Sequence, residues 1–270
     1  MPALTRKESL AAEFERRAAR AEKLAPLSES ARDPLLFAAL ILRAQGEIAG
    51  ALEEAHAVRP FTGRLDDDAE RLLPLHQRLL HAAADKGPEQ LAEAARKRRE
   101  DDPATAKARL QVFWSGDTGA REDYLSRTLL RPYAEFLRAR GIAPDRLHKK
   151  GHCPFCGGSA TMGTRLQSAD SDGGLRNLHC SLCANEYNYN RGTCPSCFEE
   201  MPEKLPVFRS DIYPDVVIEA CETCGRYVKS IDLSKDARPI AEIDDLVSVS
   251  MDLWSMNEGF TRIEPGLAGI

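Results

Sequence analysis

The chain has 270 residues, of which 43% are hydrophobic and 29% are charged, and its formal net charge is −5. These values are typical of an ordinary soluble protein of one large or two to three small domains, and the negative charge argues against a general nucleic-acid binder. We expect no membrane span, because no apolar run approaches the roughly 20 residues that one needs. The first residues carry neither the apolar segment of a signal peptide nor a twin arginine, so the sequence predicts a cytoplasmic protein whose cysteines stay reduced.

Residues 1–147 are predicted to form an all-α domain. Apolar spacing, caps and turn residues predict helices at 6–24, from Asp33-Pro34 toward Val58, after the acidic run 66–68, after Gly87-Pro88, at 104–114 and, beyond a turn at 116–119, at 121–140. Pro74 is expected to mark a helix start or a kink, because proline cannot donate a helical hydrogen bond. We interpret His56, His76 and His81 as surface or packing residues. The domain is therefore predicted to offer a binding surface without a catalytic group.

All eight cysteines lie between residues 153 and 224, in four C-x-x-C pairs. The gaps between successive pairs are 23, 10 and 23 residues, which indicates one unit used twice. A pair of this kind turns two thiolates toward one point, and a tetrahedral metal site needs two such pairs. The sequence therefore predicts two metal sites, whose ligands are Cys153, Cys156, Cys180, Cys183, Cys194, Cys197, Cys221 and Cys224.

The pairs can be grouped in two ways. Sequential grouping joins the first pair to the second and the third to the fourth, whereas interleaved grouping joins the first to the third and the second to the fourth. We prefer sequential grouping, because it closes shorter loops at a lower cost in chain entropy. Disulfides and a thioredoxin-like redox pair fit less well, since most of this long chain lacks cysteine and four pairs occur together.

The ligand type restricts the chemistry of these sites. Four thiolates fill a tetrahedral shell and leave no position for water or substrate, so hydrolysis at the metals is not expected. A structural role and a rubredoxin-like one-electron iron site both remain, and four-thiolate ligation does not separate iron from zinc. His152 and His179 each precede a pair, but neither is needed as a ligand.

We predict a first metal module at 148–190, a second at 191–235, and a C-terminal helix and arm at 236–270. Short strands are expected at 175–179, 184–191, 207–208, 216–218 and 227–231, with a turn at 168–174. Each module has too few apolar residues for a sufficient core, so bound metal is expected to contribute folding energy. One helix is predicted at 242–257, with a shared face formed by Ile243, Leu246, Val247, Ser250, Leu253 and Trp254.

Several of these stretches resemble the formate dehydrogenase accessory protein family (FdhE). The resemblance rests on RPYAEFLR at 131–138, CPFCGG at 153–158, the run from Gly174 to Cys197, EACETCGRYVKSIDLSKD at 219–236, DDLVSVSMDLW at 244–254 and EGF at 258–260. These motifs occur in the family's order over about residues 125–260, whereas the N-terminal part resembles the family only in its helical character.

The resemblance implies an all-α N-terminal domain followed by two small rubredoxin-like four-cysteine metal modules and a C-terminal helix. It implies two iron ions in the four-cysteine sites, although the ligands would also suit zinc. It further implies an accessory role in the maturation of respiratory formate dehydrogenase. In that role the protein binds the catalytic subunit in the cytoplasm before twin-arginine export.

Three classes of function follow from the residues and the resemblance. We prefer an assembly chaperone, which is a binding protein and not an enzyme. The alternative is a rubredoxin-like redox protein that acts on the same client. A zinc-ribbon nucleic-acid binder is less favoured, because residues 151–230 contain seven Lys or Arg against ten Asp or Glu.

Overall fold

The computed structural model describes residues 9–116, 123–166, 175–234, 239–267 and 269. The predicted turn at 168–174 and most of the one at 116–119 lie outside these residues. The described N-terminal part is helical, as predicted, and its helices are α1 (Leu10–Leu24), α2 (Arg32–Val58), α3 (Leu65–Lys86), α4 (Glu89–Arg99), α5 (Pro103–Trp114) and α6 (Tyr124–Arg140).

Local signals set several helix ends. The side chain of Ser9 accepts a hydrogen bond from the Ala12 amide at the start of α1. At the other end of the domain, α6 stops at Gly141, whose φ of 69° lies in the left-handed region that glycine adopts without strain. Pro74 lies inside α3, so the expectation of a helix start at this residue is wrong.

The expectation that no apolar run approaches membrane length needs correction at α2. This helix has 27 residues, and it is the one helix in the described part of the chain that is long and apolar enough to cross a membrane. In the fold, 61% of its most apolar window is buried, and α1, α3 and α6 pack against it. Its composition is weak evidence for a membrane span, because a helix at the centre of a protein core is also apolar on most faces.

The helical core is dominated by large side chains that are fully removed from solvent. Phe14 of α1, Leu42 and Leu52 of α2, and Tyr133 and Phe136 of α6 are each buried. Burial of a side chain of this size contributes about 1.5 to 3 kcal/mol. α6 also contacts the cysteine-rich half, because Arg138 Nε donates a hydrogen bond to the Cys183 carbonyl.

The cysteine-rich half forms one sheet. Its strands are β1 (Ala160–Leu166), β2 (Leu175–Cys180), β3 (Glu186–Asn188), β4 (Val207–Arg209), β5 (Val216–Cys221), β6 (Arg226–Asp232) and β7 (Thr261–Arg262). The order across the sheet is β3-β2-β1-β6-β5-β4, with β7 beside β6. The first three strands and the next three each form an antiparallel set, which repeats the duplication of the cysteine pattern.

The two sets meet where β1 pairs in parallel with β6, with Met162 opposite Lys229 and Gly163 opposite Ser230. The helical N-terminal region, the two cysteine clusters and this sheet confirm the predicted fold class. The bounds 148–190 and 191–235 remain predictions, and the shared sheet is a connection between the modules that the sequence did not predict.

The predicted helix at 242–257 is wrong in one respect, because the structure breaks it at Ser248 into α7 (Ala241–Val247) and α8 (Val249–Asn257). The break changes the buried face. Ile243 and Leu246 are buried as expected, whereas Leu253 and Trp254 are 50% and 39% exposed. The predicted arm beyond α8 also joins the fold, since it contains β7.

Candidate metal centres

The four cysteines of the first site are Cys153, Cys156, Cys180 and Cys183, and their sulfur atoms lie within 4.8 Å of one another. Cys153 Sγ is 3.6 Å from Cys183 Sγ, and Cys156 Sγ is 3.4 Å from Cys180 Sγ. Four sulfurs placed about 2.3 Å from a central ion in a tetrahedron are about 3.8 Å apart. The spacing therefore suits a four-thiolate metal ion, and it is too long for a disulfide.

The second site repeats this arrangement with Cys194, Cys197, Cys221 and Cys224. The distances are 3.8 Å between Cys194 Sγ and Cys224 Sγ, and 3.6 Å between Cys197 Sγ and Cys221 Sγ. All eight thiols are free of disulfide bonds. The structure thus groups the pairs sequentially, as the shorter loops predict, and both groups could hold a metal ion.

Backbone geometry turns the first pair toward its ion. The Cys153 amide donates to the Gly158 carbonyl and the Gly157 amide donates to the Cys153 carbonyl, each at 2.9 Å. Gly157 has a φ of +67°, and a Cβ atom there would collide with the carbonyl of Leu147. Only glycine meets both conditions.

Hydrogen bonds to sulfur complete the two sites. The Leu182 amide donates to Cys180 Sγ, and the Ser196 amide donates to Cys194 Sγ, each at 3.4 Å. The Asn185 side chain reaches Cys153 Sγ at 3.6 Å. Donors at these positions stabilise thiolate sulfur, the form that binds a metal.

Without a metal ion, the four thiols of the first site cannot all be deprotonated at once, and their pKa values are shifted in opposite directions. Hydrogen bonds with the other three thiols lower the pKa of Cys153, whereas burial and hydrogen bonds with its own three neighbours raise the pKa of Cys180. The pKa of Cys183 is also raised, first by its hydrogen bond with Cys153. A cation at the centre would remove this competition by replacing the protons, which is how metal binding couples to folding.

Neither histidine that precedes a pair joins a cluster. His152 Nδ1 lies 3.0 Å from the Gly157 carbonyl oxygen, and His179 Nε2 lies 3.3 Å from Thr164 Oγ1. Burial lowers the pKa of His179, so its ring is held neutral beside the sheet. Both histidines support the backbone or sheet near the first site, while the two described clusters contain cysteine alone.

The sequence missed a set of buried ion pairs between the helical part and the C-terminal part. Arg17 and Arg131 both bind Glu135 and Glu242. A second set joins Lys229 and Arg262 to Asp245 and Asp252. Several of these residues belong to RPYAEFLR, EACETCGRYVKSIDLSKD and DDLVSVSMDLW. Charged residues inside these motifs were the one sequence signal that could have indicated buried ion pairs.

Comparison with known proteins relates two segments of the chain to one family. The model of the FdhE central domain matches residues 152–191, and the model of the FdhE C-terminal domain matches residues 208–267. These two segments are similar to the FdhE family. An FdhE homolog from Aquifex aeolicus (strain VF5) is 33% identical over 120 residues, which cover 44% of this chain and 42% of that protein. FdhE from Escherichia coli O9:H4 (strain HS) is 34% identical over 115 residues, 42% of this chain and 36% of that protein.

A longer match joins the chain to the FdhE homolog of Shewanella oneidensis MR-1, at 27% identity over 190 residues, 70% of this chain and 59% of that protein. The matched regions thus span 36% to 59% of the length of these FdhE relatives. The crystal structure of FdhE from Pseudomonas aeruginosa aligns with 96% of each chain, at a TM-score of 0.67 and 23% identity. That likeness supports the FdhE fold over nearly the whole chain.

Proposed function

We propose that this protein is an accessory protein for the maturation of formate dehydrogenase, and that it acts by binding its client rather than by catalysis. The observation that carries the proposal is the match of the two FdhE domain models to residues 152–191 and 208–267. These segments contain six of the eight cysteines, and the remaining two, Cys194 and Cys197, lie between them.

The client in this proposal is the catalytic subunit of a respiratory formate dehydrogenase. Binding takes place in the cytoplasm, before the subunit leaves by the twin-arginine route. Two features of the sites support a role without catalysis. Each cluster provides four sulfur ligands, which complete a tetrahedral shell, and each cluster is buried or partly buried. A site of this kind offers no coordination position to a substrate.

Deletion and complementation test the proposal. A strain without this protein should make the dehydrogenase polypeptide but show little formate oxidation, and the gene supplied in trans should restore it. The tagged protein should also co-purify with the catalytic subunit and not with a twin-arginine substrate unrelated to formate metabolism. Full dehydrogenase activity in the deletion strain would refute the accessory role.

We propose that each four-cysteine site binds one iron ion, with zinc as the alternative metal. The eight proposed ligands are Cys153, Cys156, Cys180, Cys183, Cys194, Cys197, Cys221 and Cys224. Bound iron would supply one-electron chemistry, whereas bound zinc would only hold the fold. Elemental analysis and an absorbance spectrum of anaerobically purified protein distinguish the two, since ferric four-thiolate iron is coloured and zinc is not.

The rubredoxin-like redox function is the second candidate, and the sulfur-only clusters with their N–H donors favour it. It requires that iron-loaded protein supports maturation and zinc-loaded protein does not. Equal maturation by the two forms would eliminate it. The nucleic-acid alternative remains disfavoured by the acidic cysteine-rich segment, and salt-dependent binding of DNA or RNA would be its test.

A further inference from the structure

The two four-cysteine sites have the same ligands but different surroundings. All four cysteines of the first site are buried, with exposures of 2% or less. In the second site Cys194 and Cys221 are buried, whereas Cys197 and Cys224 are partly exposed. The two sites therefore repeat in sequence, but solvent reaches the sulfurs of the second site more easily than those of the first.

The first site is part of the helical core. Its cysteines and Leu182 belong to the same apolar cluster as Phe136 and Leu137 of α6. Two arginines hold its backbone: Arg138 Nε donates to the Cys183 carbonyl and Arg146 Nε donates to the Cys156 carbonyl, each at 2.8 Å. Opening this site would therefore disturb the packing of α6 and expose core side chains.

The second site lies outside the apolar clusters of the described residues. Between its last two cysteines, Glu222 and Thr223 are exposed. Their contacts are polar and at the surface, from Thr223 Oγ1 to Glu199 at 2.6 Å and from Lys204 to Glu222 at 3.5 Å. Movement of this pair would break surface contacts and leave the helical core intact.

We propose that the second site is the exchangeable one, where Cys197 and Cys224 pass a thiophilic metal ion to or from thiol ligands outside the chain. The first site keeps its ion for as long as the helical core is folded. This inference rests on the proposed binding of one ion at each site. In the exchange an outside thiol loses its proton as it takes a place at the ion, and the cysteine that it displaces takes up a proton, so charge is conserved.

The physical basis is the cost of opening. Metal ligands exchange when an incoming ligand reaches the ion, and a buried ion becomes reachable only in a locally opened state. The partly exposed cysteines of the second site need little opening. We expect exchange at the first site to be slower by at least tenfold, which corresponds to about 1.4 kcal/mol of additional opening free energy.

The experiment loads the full-length protein with two cadmium-113 ions and follows one NMR resonance for each site. Cys224→Ser assigns the second site, and Cys183→Ser, its counterpart in the repeat, assigns the first. Cys224→Ser should lose or shift one resonance while the helical circular dichroism signal stays the same. Exchange is measured on the wild-type protein, so the test does not depend on the folding of either variant.

Two competitors distinguish the sources of the thiol: a small dithiol, and a peptide that carries one C-x-x-C pair. Faster loss of the second-site resonance with either competitor supports the proposal. Loss to the dithiol indicates that a free small thiol suffices, and loss to the peptide alone indicates a protein partner. Equal loss rates at the two sites, or faster loss at the first, would overturn it. Binding of fewer than two ions would instead refute the two-site proposal on which it rests.

Discussion

Glu135 shows how a single residue can hold distant elements together. Arg17 of α1 binds both of its carboxylate oxygens, at 2.8 and 2.9 Å, and Arg131 binds Oε1 at 2.8 Å. Burial raises the pKa of Glu135, but the two guanidinium groups outweigh it and lower this pKa to about 2. The carboxylate is therefore charged at neutral pH and compensates two buried cations.

The substitution Glu135→Gln should destabilise the protein by about 3 to 5 kcal/mol, because it leaves buried guanidinium charge uncompensated. Urea denaturation measures the change. Glu22→Gln is the matched control, since Glu22 also binds an arginine, Arg43, but both side chains are at the surface. Its effect should stay below about 1 kcal/mol. Similar losses of unfolding free energy in the two variants would contradict a special role for the buried Glu135 carboxylate.

His76 gives the protein a source of acid sensitivity. Its side chain is 3% exposed, and Nε2 has no hydrogen-bond partner among the described residues. Burial lowers its pKa from 6.5 to about 4, against an opposing effect of the Leu129 carbonyl. As the pH falls below 6.5 the unfolded chain binds a proton first, so stability decreases until the pH reaches the folded pKa.

We expect the wild-type protein to lose about 2 kcal/mol more than His76→Leu between pH 7 and pH 5. Chemical denaturation at the two pH values gives the difference. The control is His81→Leu, because His81 is exposed on the same helix. An equal pH dependence in wild type and His76→Leu would show that this histidine is not held neutral by burial.

At the scale of elements, local signals in the sequence were sufficient for some features and not for others. The C-x-x-C pairs and the helix stops depend on a few neighbouring residues, and the structure places them as predicted. The break at Ser248 was missed, because apolar spacing continues on both sides of it. The parallel pairing of β1 with β6 was missed because its partners, such as Gly163 and Ser230, are far apart in the chain.

Gly163 makes this pairing testable. A Cβ atom at Gly163 would collide with Ser230 Oγ, and the same hydroxyl donates a hydrogen bond of 2.5 Å to Glu219. Gly163→Ala should therefore cost about 1 to 3 kcal/mol through overpacking at the junction of the two strand sets. Thermal denaturation measures the loss.

Gly192→Ala is the control, since a Cβ atom there would meet no atom closer than Asn190 Oδ1, at 3.8 Å. It should leave the melting temperature nearly unchanged. If Gly163→Ala had the same melting temperature as the wild type, β1 and β6 would not be in close contact.

At the scale of the whole molecule, the helices and the sheet are joined by charge as well as by apolar packing. Lys229 of β6 is fully buried. Asp245 and Asp252 of the C-terminal helices form ion pairs with both Lys229 and Arg262, so the four charges compensate one another. A sequence shows such residues as charged, and charged residues are usually solvated. Only the tertiary fold reveals that these are paired inside, which is why the candidate cysteines could be predicted and this framework could not.

Removal of the metal from the first site should destabilise α6 more than removal from the second site. We expect loss of the ion from the first site to speed amide hydrogen exchange in α6, because Leu137 packs in the same cluster as Cys183. Mass spectrometry of Cys183→Ser and Cys224→Ser measures it, with faster exchange in α6 expected only in the first. Equal exchange of α6 in both variants and the wild type would contradict the coupling.

The place of the ion-pair residues in the chain has a consequence for synthesis on the ribosome. All eight cysteines have been translated by residue 224, whereas Glu242, Asp245 and Arg262 emerge later. Until then Arg131 and Lys229 lack their acidic partners from the C-terminal helices, and the core around the first site is incomplete. A nascent chain therefore passes through a period in which the first site has its ligands but is still open. Folding of α7, α8 and β7 onto the core then closes it, so this ion is best inserted before these elements dock.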